Sequence, residues 1–373
     1  MVKGSTKSRG LQLGNVRGIA DRRADSAESF LNLYQVNDMG IVFDESYIEH
    51  RQNYMHPERP ERLEAIIEKM SAQSLWKNIV KPDPAAVEDV TLNHSERYVR
   101  RIRDSPEGYI DPDTYLRKKT YDIAMKAVGG AIKAAEMAYD KKETALALLR
   151  PPGHHAVESS SMGFCYFNNI AIAAKKIADK APRIVIIDPD VHHGNGTQDS
   201  FYNSSDVLYI STHQRYIFPG TGRISEVGSG KGKGFTVNIP FDDGCGDSSY
   251  EMALTKVILP VIEQFKPDMI MVSLGTDAHY EDLLAGLNLS SRGYVDMMKR
   301  LHGLANKICN GRFAVFLEGG YALSPLSEIV TGFYGSTRGR HISLKHTDIS
   351  DKTGLGSATI QSVLDTQRKY WDL

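Results

Sequence analysis

Cysteine is scarce in this 373-residue chain: Cys165, Cys245 and Cys309 are scattered and odd in number. No C-x-x-C spacing occurs, which argues against a disulfide scaffold or a thiolate zinc knuckle and points to a reducing compartment. No apolar run approaches the roughly eighteen residues a membrane-spanning helix needs. The polar, basic start MVKGSTKSRGLQLGNVRG lacks the apolar core of a signal peptide, so the expected location is cytoplasmic, with no membrane partner. Charge of one sign is missing as well. Lys+Arg 45 against Asp+Glu 46 leaves a formal net charge of −1, which provides no global attraction to nucleic acid. Internal repeats and low-complexity linkers are absent. What remains is ordinary for one large folded domain: 41% hydrophobic and 24% charged residues. Residues 1–38 read as a partly flexible N-terminal arm and 39–373 as a single domain. Self-association is left open.

Short apolar, β-branched runs recur along the chain: GIVFD (40–44), ALALLR (145–150), RIVIID (183–188), VLYIST (207–212), DMIMVSLG (268–275) and RFAVFLEGG (312–320). They are near-continuous rather than alternating, as strands covered on both faces are. Between them, 121–139, 168–181 and 252–265 carry apolar residues at three- and four-residue spacing, with Pro260 expected to kink or interrupt the last. The alternation predicts an α/β fold, a parallel sheet between helix layers.

Polar clusters fall at the ends of these runs. RPPGHHA follows ALALL, DPDVHHGNG follows RIVII, STHQ follows VLYI, GTDAH follows MIMVSL, and EGGY follows RFAVFL. In open parallel sheets ligands bind at that carboxyl edge, so five clusters in phase suggest one site. Asp190 and His192, two apart in an extended segment, share a face, and Asp277 can add a third ligand. Three protein ligands with an open position describe a catalytic metal centre; two carboxylates with one imidazole admit Zn2+, Fe2+, Mn2+ or Co2+. His154 and His155 stand on a Pro/Gly-stiffened loop where one can abstract a proton while the other tunes the field. Asp188 and Asn195 are suitable orienting partners, and the carboxylate would hold its histidine more nearly cationic than the amide would. His193 faces the other way and reads as structural. Tyr321, after two glycines, can donate to a developing oxyanion or pack in a turn. Gly163 and Phe164 can wall a narrow channel. Arg59 or Arg62 can ring a cavity or begin a solvated helix, and Asp111 and Asp113 can meet a substrate amine or form an Asx turn. IDPDV alone also fits a phosphatase of the haloacid-dehalogenase type, which leaves both double histidines unexplained.

Together RPPGHHA, GFCYFNN, IDPDVHHGNGTQ, FPGTG (218–222), GTDAH and LEGGY, preceded by HPERPERL, resemble the histone deacetylase and acetylpolyamine amidohydrolase superfamily over roughly residues 40–325. The resemblance implies a three-layer, arginase/deacetylase-like α/β fold with its active site at the C-terminal strand ends. It matches Asp190, His192 and Asp277 to the ligands of a zinc ion. His155 matches the general base that activates a metal-bound water and later protonates the amine, and His154, paired with Asp188, its electrostatic partner. Tyr321 matches the residue that polarises the acyl carbonyl, and Gly163 and Phe164 the acyl-lysine tunnel. Asp111 or Asp113 falls where substrate is bound, and a structural monovalent cation such as K+ is implied near Asp188, Asp190, His192 and Ser211. Asn195, where some members have Asp, resembles the class II-like and bacterial branch. Thr276, Leu283 and Ala322 depart from common residues at positions that shape the pocket. The implied substrate is acetyl-lysine of proteins or, alternatively, an acetylated polyamine. A non-catalytic binding relative is the remaining reading.

Overall fold

The computed structural model describes residues 1–2, 40–52, 55–347, 351 and 354–373. Asp38–Leu373 form one compact unit, and the following concerns its described residues; the expected N-terminal arm lies almost wholly outside them. Eight strands make the central sheet: β1 (Gly40–Val42), β2 (Ile79–Val80), β5 (Thr144–Ala147), β6 (Ile184–Asp188), β7 (Val207–Gln214), β8 (Thr236–Phe241), β9 (Met269–Leu274) and β10 (Phe313–Leu317). Their order is β2-β1-β5-β10-β9-β6-β7-β8, and every pairing is parallel. A separate hairpin joins β3 (Gly108–Tyr109) to β4 (Tyr115–Leu116).

Every residue of β5, β6, β8, β9 and β10 is buried, so helices cover both faces of the sheet. The Thr120–Lys141 helix packs along β5, β1 and β10. Asn169–Lys176 begins where the Asn168 side chain accepts the Ala171 N–H at 3.1 Å, a typical N-cap. The helix carrying Pro260 is interrupted as expected. Asp247–Ala253 passes through a π-helical turn, Leu254–Ile258, into Leu259–Phe265, because proline has no N–H for the i→i−4 ladder. No helix among the described residues is long and apolar enough to cross a membrane.

Two expectations need correction. STHQ does not follow its strand but forms its last four residues. The sheet also has two strands beyond those foreseen, β2 and β8. β8 contains Pro240, which the outer position of an edge strand tolerates.

Candidate active site

Chain order β5, β6, β7, β9, β10 becomes the spatial order β5-β10-β9-β6-β7, so the five polar clusters sit on five adjacent strands at one carboxyl edge. Beyond β6, Asp190 and His192 turn toward Asp277, which lies beyond β9. These three residues offer ligand atoms within 4.8 Å of one another. His192 Nδ1 is 3.4 Å from Asp190 Oδ1 and 3.3 Å from Asp277 Oδ2. Backbone amides fix the carboxylates: Asp190 accepts from His192 N–H and Gly319 N–H, each at 2.9 Å, and Asp277 Oδ1 from Val191 N–H at 2.9 Å. Asp277 Oδ2 is buried with no hydrogen-bond partner. An orphaned buried carboxylate oxygen beside an imidazole nitrogen is the environment a divalent cation completes, and the donor set fits one. Gly319 makes the close approach feasible, since a Cβ there would collide with both Asp277 Oδ2 and Asp190 Oδ2.

The His154 and His155 rings lie tilted at 45° with centroids 3.9 Å apart, yet their partners differ. His154 Nδ1 lies 3.2 Å from Asp188 Oδ2; His155 Nδ1 lies 2.9 Å from Asn195 Oδ1. Burial disfavours charge on both. For His154 the carboxylates of Asp190 and Asp188 overcome it and hold the ring well above its ordinary value. For His155 burial is reinforced by the charge of His154, which holds it well below. Charge is therefore favoured on one imidazole and disfavoured on its neighbour. Tyr209 steadies Asp188 with a hydroxyl bond at 3.1 Å.

A cavity of about 230 Å³ is lined by His154, His155, His192, Tyr321, Gly163, Phe164 and Asp113, and also by Pro152, Phe218, Leu284 and Gly319. Gly163 has φ +55°, and a Cβ there would strike the His155 ring. Phe164, in the same left-handed region at φ +68°, meets the His56 ring edge-on at 4.4 Å. Burial, then the charge of Asp277, keeps the Tyr321 hydroxyl well above the usual phenol value, so it remains a donor at neutral pH. Of the two candidate aspartates, Asp113 reaches the cavity, accepting Gly163 N–H at 3.1 Å. Asp111 lies behind it, bonded to Ser161 and to Asp113 N–H in an Asx turn. Burial, then the hydrogen bond from Asp111, raises Asp113 to about 6. His193 is structural as expected, bonded to Thr221 Oγ1 at 2.7 Å and Gln198 Oε1 at 3.0 Å.

A second cluster, His154, Cys165 and Glu318, also brings three ligand-type atoms together. Its atoms are already engaged. Glu318 Oε2 accepts Gly153 N–H at 2.7 Å and His154 N–H at 3.2 Å, and Oε1 accepts the Ser273 hydroxyl at 3.3 Å. Glu318 therefore buttresses the double-histidine loop. All three cysteines are free and buried.

Arg62 is fully buried rather than a solvated helix start, donating to Gly320 O at 2.6 Å and to Glu318 O, with its guanidinium 5.1 Å from the Tyr321 ring centre. Arg59 is exposed. Phe218, Leu284, Asp282 and Glu318 received no separate role in the sequence reading. FPGTG contained the signal for Phe218 and LEGGY that for Glu318.

Residues 56–336, more than half of the chain, match the histone deacetylase domain model. A probable deacetylase of Archaeoglobus fulgidus is 44% identical over 292 residues, covering 76% of this chain and 81% of the relative. Histone deacetylase 10, chloroplastic, of Oryza sativa subsp. japonica is 38% identical over 320 residues, covering 79% and 72%. The crystal structure of the HDA15 HD domain superposes with a TM-score of 0.83 at 32% identity, covering 90% of this chain and 96% of that one. With this sheet and these motifs gathered at its carboxyl edge, the chain belongs to the histone deacetylase family.

Proposed function

We propose that the chain is a metal-dependent deacetylase that removes acetyl or a related acyl group from lysine in proteins. The observation that carries this reading is the Asp190–His192–Asp277 cluster, with its unpartnered Asp277 Oδ2, beside two histidines, one paired with a carboxylate and the other with an amide. A divalent ion bound there, most simply Zn2+ with Fe2+, Mn2+ or Co2+ as alternatives, supplies Lewis acidity that lowers a water's pKa and polarises the amide carbonyl. Neutral His155 takes the proton of the attacking water and delivers it to the departing amine as the C–N bond breaks. His154, cationic beside Asp188, stabilises negative charge developing next to it. Tyr321 donates its hydroxyl to the carbonyl oxygen as that oxygen becomes an oxyanion. Gly163, Phe164 and Phe218 exclude water along the acyl-lysine path. A monovalent cation near Asp188, Asp190, His192 and Ser211 belongs to the same proposal; Asp188 and Ser211 are register partners on β6 and β7.

Two features support a protein substrate over a polyamine. Leu283 is 95% exposed and Tyr216 90%, one and two residues along the chain from the lining residues Leu284 and Phe218. Asp113 is the only carboxylate among the lining residues, whereas a polycation calls for several. The test compares kcat/KM for an acetyl-lysine peptide and an acetylated polyamine on enzyme carrying one Zn2+ per chain. At least a tenfold preference for the peptide is expected. Preference for the polyamine overturns the substrate assignment, and hydrolysis of neither overturns the reaction.

A further inference from the structure

Tyr321 follows two glycines, and Gly320 has φ +112°, a region L side chains rarely adopt. Such a backbone has many conformations open to it, so the phenol needs external restraint. Restraint comes from two directions. Arg62 holds the Gly320 carbonyl at 2.6 Å. On the other side, Asp282 Oδ2 accepts Tyr321 N–H at 2.6 Å and Ala322 N–H at 3.0 Å. The single peptide unit between Gly320 and Tyr321 is thus gripped at its C=O by a cation and at its N–H by an anion. Asp282 Oδ1 meanwhile accepts Leu284 N–H at 3.2 Å, and Leu284 walls the cavity. Asp282 itself is 4% exposed, and no step of the proposed reaction uses it.

We propose that Asp282 is a positioning residue that sets the Tyr321 hydroxyl and the Leu284 wall together, so that turnover depends on a carboxylate outside the ligand cluster. The inference rests on Tyr321 acting as the donor to the acyl oxygen. Charge matters because both oxygens face N–H donors. An asparagine has one acceptor oxygen and one NH2, so whichever way it turns, a donor meets a donor.

The test is a double-mutant cycle on Zn2+-loaded enzyme with an acetyl-lysine peptide. Asp282→Asn is expected to lower kcat at least tenfold, with KM within threefold and one Zn2+ per chain retained. Asp282→Glu, which keeps the charge, should recover part of that loss. In the Tyr321→Phe background the same Asp282→Asn change should lower the residual kcat less than twofold, since the hydroxyl it positions is gone. If Asp282→Asn does not fold, Asp282→Glu makes the same comparison in both backgrounds. Wild-type kcat in a folded variant, or an equal fold-loss with and without the Tyr321 hydroxyl, overturns the assignment. A wild-type chain that hydrolyses no acyl-lysine would instead overturn the reaction on which it rests.

Discussion

His154 and His155 are chemically identical neighbours that their partners drive apart, one with a carboxylate and the other with an amide. Substituting Asn195→Asp would remove that asymmetry. His155 accepts a proton only when neutral, and burial with the charge of His154 keeps it neutral well below its ordinary value. A carboxylate at position 195 favours the imidazolium, so the His155 pKa rises and the neutral fraction at a given pH falls. The acid limb of the kcat/KM profile should therefore move to higher pH, by about one unit or more. A pH–rate profile over pH 5–9 checks it, and an unmoved limb would show that His155 is not the titrating base. The four residues were legible in the sequence, since RPPGHHA carries both histidines and IDPDVHHGNGTQ both Asp188 and Asn195, but which partner meets which histidine followed only from the family resemblance. Asp282 was not legible. It lies five residues beyond Asp277 in a turn, and only the folded path brings it to the Tyr321 amide.

At the scale of elements, a buried ionic network ties the N-terminus of the Glu61–Ala72 helix to the end of β5. Glu58 and Arg150 are both fully buried; Arg150 donates to both Glu58 oxygens, to Tyr47 O at 2.6 Å and to His50 O at 2.9 Å. Arg62 joins at 3.3 Å from Glu58 Oε1, so the brace reaches the loop bearing Tyr321. Burial would raise Glu58, but Arg150 outweighs it and lowers the carboxyl to about 2. A depressed carboxyl contributes stability that is present above its unfolded value, 4.5, and lost as pH falls toward 2. Glu58→Gln leaves two buried guanidiniums without a counter-charge and should cost about 3 kcal/mol or more at pH 7. Its denaturation midpoint should also fall less steeply between pH 5 and 2 than the wild type's; parallel urea titrations test both. HPERPERL announced charge here, but exposed and buried arginines look alike in sequence. β8 was not foreseen either; its Pro240 is tolerated because the strand closes one edge of the sheet.

Over the whole molecule, the clusters could be assigned from sequence to one carboxyl edge, but not to neighbouring places on it. β9 and β10, late in the chain, slot between β5 and β6, and that insertion brings Asp277 beside Asp190 and His192 and sets the Tyr321 loop next to that of the two histidines. The assembled edge has a consequence for metal and proton together. Burial alone would lower His192, but the adjacent carboxylates of Asp190 and Asp277 raise it to about 10. Without an ion the cluster therefore favours a protonated imidazole at neutral pH, and the proposed metal ion would have to displace that proton. A raised histidine contributes stability that is fully present below pH 6.5 and is lost as pH climbs through about 10. Metal-free protein should accordingly weaken as pH rises, while the loaded protein, whose cation does not titrate, should not. The gap in Tm between Zn2+-loaded and chelator-treated protein is expected to widen from pH 6.5 to 8.5. Apparent Zn2+ affinity should rise about tenfold per pH unit, with about one proton released per ion. Calorimetric titrations in buffers of differing ionisation enthalpy measure that release directly. An affinity independent of pH, with no proton released, would mean that His192 is not the ligand the two carboxylates hold in place.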